Sequence, residues 1–186
     1  MSTAKVVTVV HPSATVNNIV NDASGNVAIG GALTVAGAGT ITGTLGVTGA
    51  TTLSSTLGVT GAATLSSTLG VTGNTTVASY SETVVAIGTV TTTNTLSIAA
   101  GTVQTATLTA STACTFTMPT ATAGKSFILL LKQAAATGNG TATFTSVKWN
   151  SAGAPTITAT AGKMDILTFV ADGTNWYGSY SQGYTP

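Results

Sequence analysis

Four copies of a twelve-residue unit run from Leu33 to Tyr80, and no other feature of the chain restricts its fold so tightly. With Leu33, Leu45, Leu57 and Leu69 aligned, Val35, Val47, Val59 and Val71 superpose two positions on. Gly37, Gly49, Gly61 and Gly73 superpose four positions on, and Ile41, Leu53, Leu65 and Val77 eight positions on. All apolar offsets are even, so an extended chain puts them on one face and leaves Thr and Ser on the other. That is the period of a β-strand and not of a helix. Each copy reads as a short strand, a bend near Thr-Gly and a second short strand, the glycine taking up backbone angles that other residues resist.

The Leu-Val face needs a cover. Twelve residues fall short of one turn of a triangular solenoid, which takes about three hexapeptides. Either three chains wind together, each supplying part of every layer, or one chain uses about one and a half repeats per turn. Charged residues make up 5% of the 186, against about 25% in an average soluble domain, and none occurs between Asp22 and Glu82. Winding three chains together closes the strand edges that so uncharged a surface would otherwise offer to aggregation. An intertwined homotrimeric β-helix or β-prism is therefore the expectation for residues 33–80, the shaft.

The flanks differ from the repeat. Residues 1–32 hold a Val-rich stretch from Val6 to Val10, then His11-Pro12 and an Asn/Gly-rich turn at Ser24-Gly25-Asn26, all out of the twelve-residue register. They read as an attachment segment or as a cap on the repeats. The first residues lack the apolar stretch and cleavage site of a signal peptide, so synthesis in a cytoplasm is expected. From Ser81 onward Lys, Asp, Pro and most aromatic residues return. Nine short strands are expected, near 83–87, 95–98, 103–109, 115–118, 126–133, 141–149, 156–160, 164–170 and 176–180. Turn signals separate them at Thr122-Ala123-Gly124, Thr137-Gly138-Asn139-Gly140, Ser151-Ala152-Gly153 and Asp172-Gly173-Thr174-Asn175. The fold class is all-β, and residues 81–186 are expected to form an antiparallel β-sandwich or jelly roll. Residues 126–131 are apolar on both faces, which marks a central strand.

Little chemistry is on offer. His11 is the only histidine and Cys114 the only cysteine, far apart in sequence, so a nucleophile–base pair has no obvious members and no disulfide forms within the chain. Cys114 reads as a small core residue. The acids are Asp22, Glu82, Asp165 and Asp172, and Asp172 already has a role as the first residue of an Asp-Gly turn. No His/Cys cluster or calcium-loop spacing suggests a metal, and no cofactor is expected. Ala123-Gly124-Lys125-Ser126 matches only the end of a phosphate loop, since Pro119 stands where the first glycine belongs. A hexapeptide-type acyltransferase would need a histidine near its coils, and the repeats have none. Five Lys and no Arg supply nucleic-acid binding poorly, and no apolar run approaches the 18 or so residues of a membrane span. Binding is left to the aromatic residues Trp149, Trp176, Tyr177, Tyr180 and Tyr184, which either stack on sugars and proteins or fill the core.

The segment Thr44-Leu45-Gly46-Val47-Thr48-Gly49-Ala50-Thr51-Thr52-Leu53, with its copies, resembles the shaft repeats of bacteriophage tail-fibre and other virion-fibre proteins. Gly162-Lys163-Met164-Asp165-Ile166-Leu167-Thr168-Phe169-Val170, followed by Asp172-Gly173-Thr174-Asn175-Trp176-Tyr177-Gly178, is similar to the distal β-domain of phage fibres. The resemblance spans about residues 24–186. It implies a homotrimer on the virion surface, bound to capsid or tail proteins through its N-terminus, with Val7, Val9, His11 and Pro12 as the expected docking residues. It also implies a distal head that meets a host-surface glycan or protein, with the five aromatic residues as the expected contacts. The long N-terminal adaptor typical of many tail fibres is missing, which leaves room for a capsid-bound head fibre or decoration protein as the alternative.

Overall fold

A computed structural model describes residues 32–186; Val7, Val9, His11, Pro12 and the expected turn at 24–26 lie outside the described residues. The chain divides between Leu69 and Gly70 into two units. Residues 32–83 contain no helix and no hydrogen-bonded strand, and every one of them is exposed. Their backbone is nonetheless periodic. Bends fall at Ala36-Gly37, Thr42-Gly43, Gly49, Ser54-Ser55, Thr60-Gly61, Ser66-Ser67, Thr72-Gly73 and Ala78, so each copy of the repeat bends at its Thr/Ala-Gly and again half a repeat later.

The described part of the chain is all-β, and its strands all lie beyond residue 83. They are β1 (Val84–Val90), β2 (Thr93–Thr95), β3 (Val103–Leu108), β4 (Ala113–Thr117), β5 (Ser126–Lys132), β6 (Thr141–Phe144), β7 (Val147–Lys148), β8 (Met164–Ala171) and β9 (Trp176–Tyr184). Strand β1 turns a corner at Thr91-Thr92 into β2, which lies in a second sheet; β3 does the same into β4, and β5 into β6. The six strands stack as about three turns of a solenoid-like coil, β1-β3-β5 on one side and β2-β4-β6 on the other. Strands β8 and β9 then extend the first sheet, β8 antiparallel to β5 and β9 antiparallel to β8, giving the order β1-β3-β5-β8-β9-β7.

An antiparallel sandwich or jelly roll is expected for this region from the sequence, but five of the seven pairings are parallel and two antiparallel. The physical reason lies in the corners. A two-residue bend such as Thr91-Thr92 sends the next strand into the facing sheet, so each strand pairs with its counterpart one coil later and runs the same way. The expected strand at 156–160 is absent, and its place is taken by an irregular crossing held by side chains. Thr158 N–H donates to Asp165 Oδ2 (2.8 Å), and Gln182 Nε2 donates to Thr156 O (2.6 Å).

Period-two alternation supplies the core. In β3, Gln104, Ala106 and Leu108 are buried and in β5 Phe127, Leu129 and Leu131 are; Leu167 and Phe169 continue these rows on β8, and Leu96, Cys114, Phe116 and Ala142 face them from the other sheet. Full burial of each large apolar side chain contributes about 1.5–3 kcal/mol. Register brings rings together: Phe116 pairs with Phe144 and stacks on it at 5.2 Å, and Phe127 pairs with Phe169 at 4.8 Å. Two buried amides tie the coils. Gln104 Nε2 donates to Ser97 O (2.8 Å), closing the link from β2 to β3, and Gln133 exchanges two hydrogen bonds with the Gly140 backbone.

Candidate functional site

Two apolar surfaces are left uncovered in the single chain. The first is the repeat. Its alignment leucines Leu33, Leu45, Leu57 and Leu69 are 70, 64, 70 and 69% exposed. The aliphatic residues at offsets two and eight are half a repeat apart, so Val35, Ile41, Val47, Leu53, Val59, Leu65, Val71 and Val77 follow one another every six residues, all 50–60% exposed. This six-residue spacing matches the spacing of the bends. A chain that coiled on itself would bury these residues between its own turns; here Gly37, Gly49, Gly61 and Gly73 have no atom within 4 Å of where a Cβ would stand. Within one chain the repeat thus has a regular conformation without the contacts that would fix it.

The second surface is the outer face of the six-stranded sheet. Side chains opposite the core rows form four outward rows across β1, β3, β5 and β8, from Ser126 and Val170, through Val84, Val103, Ile128 and Thr168, then Ala86, Thr105, Leu130 and Ile166, to Thr89, Thr107, Lys132 and Met164. Val84 and Val170 are half or more exposed, and Lys132 is the only charge in the rows. A groove of about 310 Å³ opens at the Val84 end, lined by Tyr80, Glu82, Thr102, Ser126, Ile128 and Val170, and the Thr102 hydroxyl donates to Glu82 there. Of the five aromatic residues, Tyr177 and Tyr184 border this face on β9, paired with Val170 and Met164. Its signal is strand β5, apolar on both sides.

The expected aromatic contacts separate into inward and outward sets. Trp176 is buried, its Nε1 donating to Pro119 O (2.7 Å) and its ring edge-on to Phe127 at 5.3 Å. Trp149 is half-buried against Phe144, Phe169 and Tyr180, so Tyr180 is also an inward residue. Tyr177 and Tyr184 point outward from β9 and are 48 and 44% exposed. The five residues therefore form no single patch. Tyr177 Oη donates to Asp172 Oδ2 (3.0 Å), and this bond, with the carboxylate's charge, raises the phenol's pKa above 10.0. Asp172 Oδ1 accepts from the N–H groups of Asn175 and Thr174, both at 2.7 Å, and these bonds lower its pKa.

The other reactive side chains are tied into structure. Burial raises the pKa of the Cys114 thiol, whose side chain lies in the core. Asp165 is almost fully buried and takes hydrogen bonds from the Thr158 and Gly183 N–H groups and Gln182 Nε2. Desolvation alone would raise its pKa, but the hydrogen bonds outweigh it and the net direction is down. Among the described residues no three His, Cys, Asp or Glu side chains gather where they could hold a metal. No helix among them is long and apolar enough to cross a membrane. Comparisons with protein-family models, curated proteins and solved structures find no match to the chain.

Proposed function

We propose that the protein is a structural fibre subunit of a bacteriophage virion, a homotrimer whose repeats from three chains wind together as the shaft. The observation that carries this reading is the repeat itself: conformationally periodic, uncharged, and uncovered along every aliphatic position in a single chain. Leaving so much aliphatic surface in water is costly at about 25 cal/mol per Å², and copies of the same repeat can cover it in register. In this reading each layer takes one six-residue leg from each chain, three legs closing the triangle that one repeat is too short to close. Residues 1–32 dock on capsid or tail proteins, and residues 81–186 form the distal head. The solenoid-like coil takes the place of a jelly roll in that head.

Sedimentation of the full chain tests the assembly: a particle of three 18.1 kDa chains is expected, and an 18.1 kDa species at micromolar concentration would defeat the reading. Imaging intact phage with this protein labelled tests the virion assignment and separates head from tail attachment. Host contact is assigned to the outward rings Tyr177 and Tyr184. Unchanged adsorption of phage carrying Tyr177→Ala and Tyr184→Ala would leave a decoration or head fibre without receptor binding.

A further inference from the structure

The outer face of the six-stranded sheet is not accounted for by a shaft, and it has the marks of an interface. Sheets of parallel strands are ordinarily covered on both faces, their strands reading as continuous apolar runs. Ser126-Phe-Ile-Leu-Leu-Leu-Lys132 is such a run, yet only Phe127, Leu129 and Leu131 are buried in the chain. Four strands about 4.8 Å apart, with four outward rows about 7 Å apart, span on the order of 500 Å². Eight of the fourteen outward residues are apolar, and the face as a whole is most of one partner's share (about 800 Å²) of a specific interface. Charge stands at its ends, with Glu82 at the groove and Lys132 in the last row, and is missing from the middle, as in the buried centre of interfaces.

We infer that this face, centred on Val84, Ile128, Leu130, Ile166 and Val170, packs against the same domain of the other copies, so that the heads form a closed trimer rather than three free knobs. The inference rests on the fibre reading, because the shaft is what brings the copies together. Three points favour copies as the occupant. Tyr80, the last residue of the repeat region, and Glu82 just after it line the groove on this face, so the chain leads from the repeat into it. A face without net charge gives no handle to an acidic or basic partner. Chains joined by their repeats also hold their heads at millimolar effective concentration, which no free partner matches. Tyr177 and Tyr184 stand on β9 beside Val170 and Met164, on the same face at its edge, so a host contact through them falls at the rim of this interface.

The experiment uses the purified full chain with Cys114→Ser and a single new thiol: Val84→Cys or Val170→Cys on the face, or Thr174→Cys in an exposed turn as the control. Each sample is sedimented and then labelled with a bulky maleimide. Trimers in which residues 84 and 170 label at least tenfold more slowly than residue 174 are expected. A trimer with equal rates at all three positions would overturn the head interface and leave the fibre reading standing. A monomer, at whatever labelling rate, removes both, and protection that appears only when a second protein or a glycan is added rejects copies as the occupant.

Discussion

The indole of Trp149 lies directly over the backbone of Gly178: a Cβ at position 178 would stand 2.5 Å from Cζ3 of the ring and 2.8 Å from two more of its carbons. That close approach lets a half-buried tryptophan, carried by the irregular chain after β7, pack edge-on to Phe144, Phe169 and Tyr180 and seal the inner face of the capping strands. Gly178→Ala forces the ring outward and overpacks the cluster, which costs about 1–3 kcal/mol. Thermal unfolding followed by tryptophan fluorescence should show a lowered midpoint and an altered native spectrum. A variant as stable as the parent would mean that the ring is not held there.

Asp165 makes the fold sensitive to acid. Its folded pKa is below the ordinary 3.8, so the stability it contributes is fully present above the unfolded value and is lost as pH falls through the depressed folded one. The window thus opens near pH 4 and runs downward. Asp165→Asn puts amide hydrogens among the donors Thr158 N, Gly183 N and Gln182 Nε2, and unsatisfied buried donors cost about 1–3 kcal/mol each. The variant should be less stable at pH 7 and should lose less further stability below pH 4 than the parent. Parallel loss in the two proteins would show that Asp165 is not the titrating group.

Gln133 acts as a substitute strand. Its Nε2 donates to Gly140 O at 2.7 Å and its Oε1 accepts from Gly140 N–H at 3.0 Å, both in the interior, where a Cβ on residue 140 would meet Leu108 Cβ at 2.8 Å. Gln133→Leu keeps the volume and strands both backbone groups, for a loss of about 1–3 kcal/mol per group. Hydrogen exchange should localise the effect to the connection between β5 and β6. Faster exchange spread evenly over all strands would instead mean that Gln133 supports the core at large.

These side chains illustrate what the sequence made legible. The four turn signals all fall between strands and each carries a residue at positive φ, Gly124, Asn139, Gly153 and Gly173, because left-handed backbone has a strong residue preference that needs no partner. The hairpin at Asp172-Gly173 and the buried Cys114 were readable for the same local reason. Strand direction was not. Alternation in Val103–Leu108 reports which face is buried but is the same whether the neighbour runs parallel or antiparallel, and nothing in Thr91-Thr92 announces a corner rather than a hairpin. The outward face of β5 was visible as apolar residues, but its lack of cover within one chain became apparent only once the sheet was assembled.

The repeat gives the most demanding prediction, because its period is one of conformation as well as of sequence. Bends and aliphatic residues both recur every six residues, while the alignment leucines recur every twelve. Deleting residues 45–56 therefore removes two legs and keeps every remaining leucine in phase. In the three-chain shaft each leg climbs one strand spacing of about 4.8 Å, so the trimer should persist and shorten by roughly 10 Å, as measured by small-angle scattering or electron microscopy. Deleting residues 45–48 removes fewer residues but leaves the bends and aliphatic positions beyond the cut out of the six-residue register of those before it, and the shaft should lose its trimer or melt far below the parent. If the four-residue deletion is tolerated as well as the twelve-residue one, the repeat is a spacer without layered packing, and assembly has to come from elsewhere in the chain.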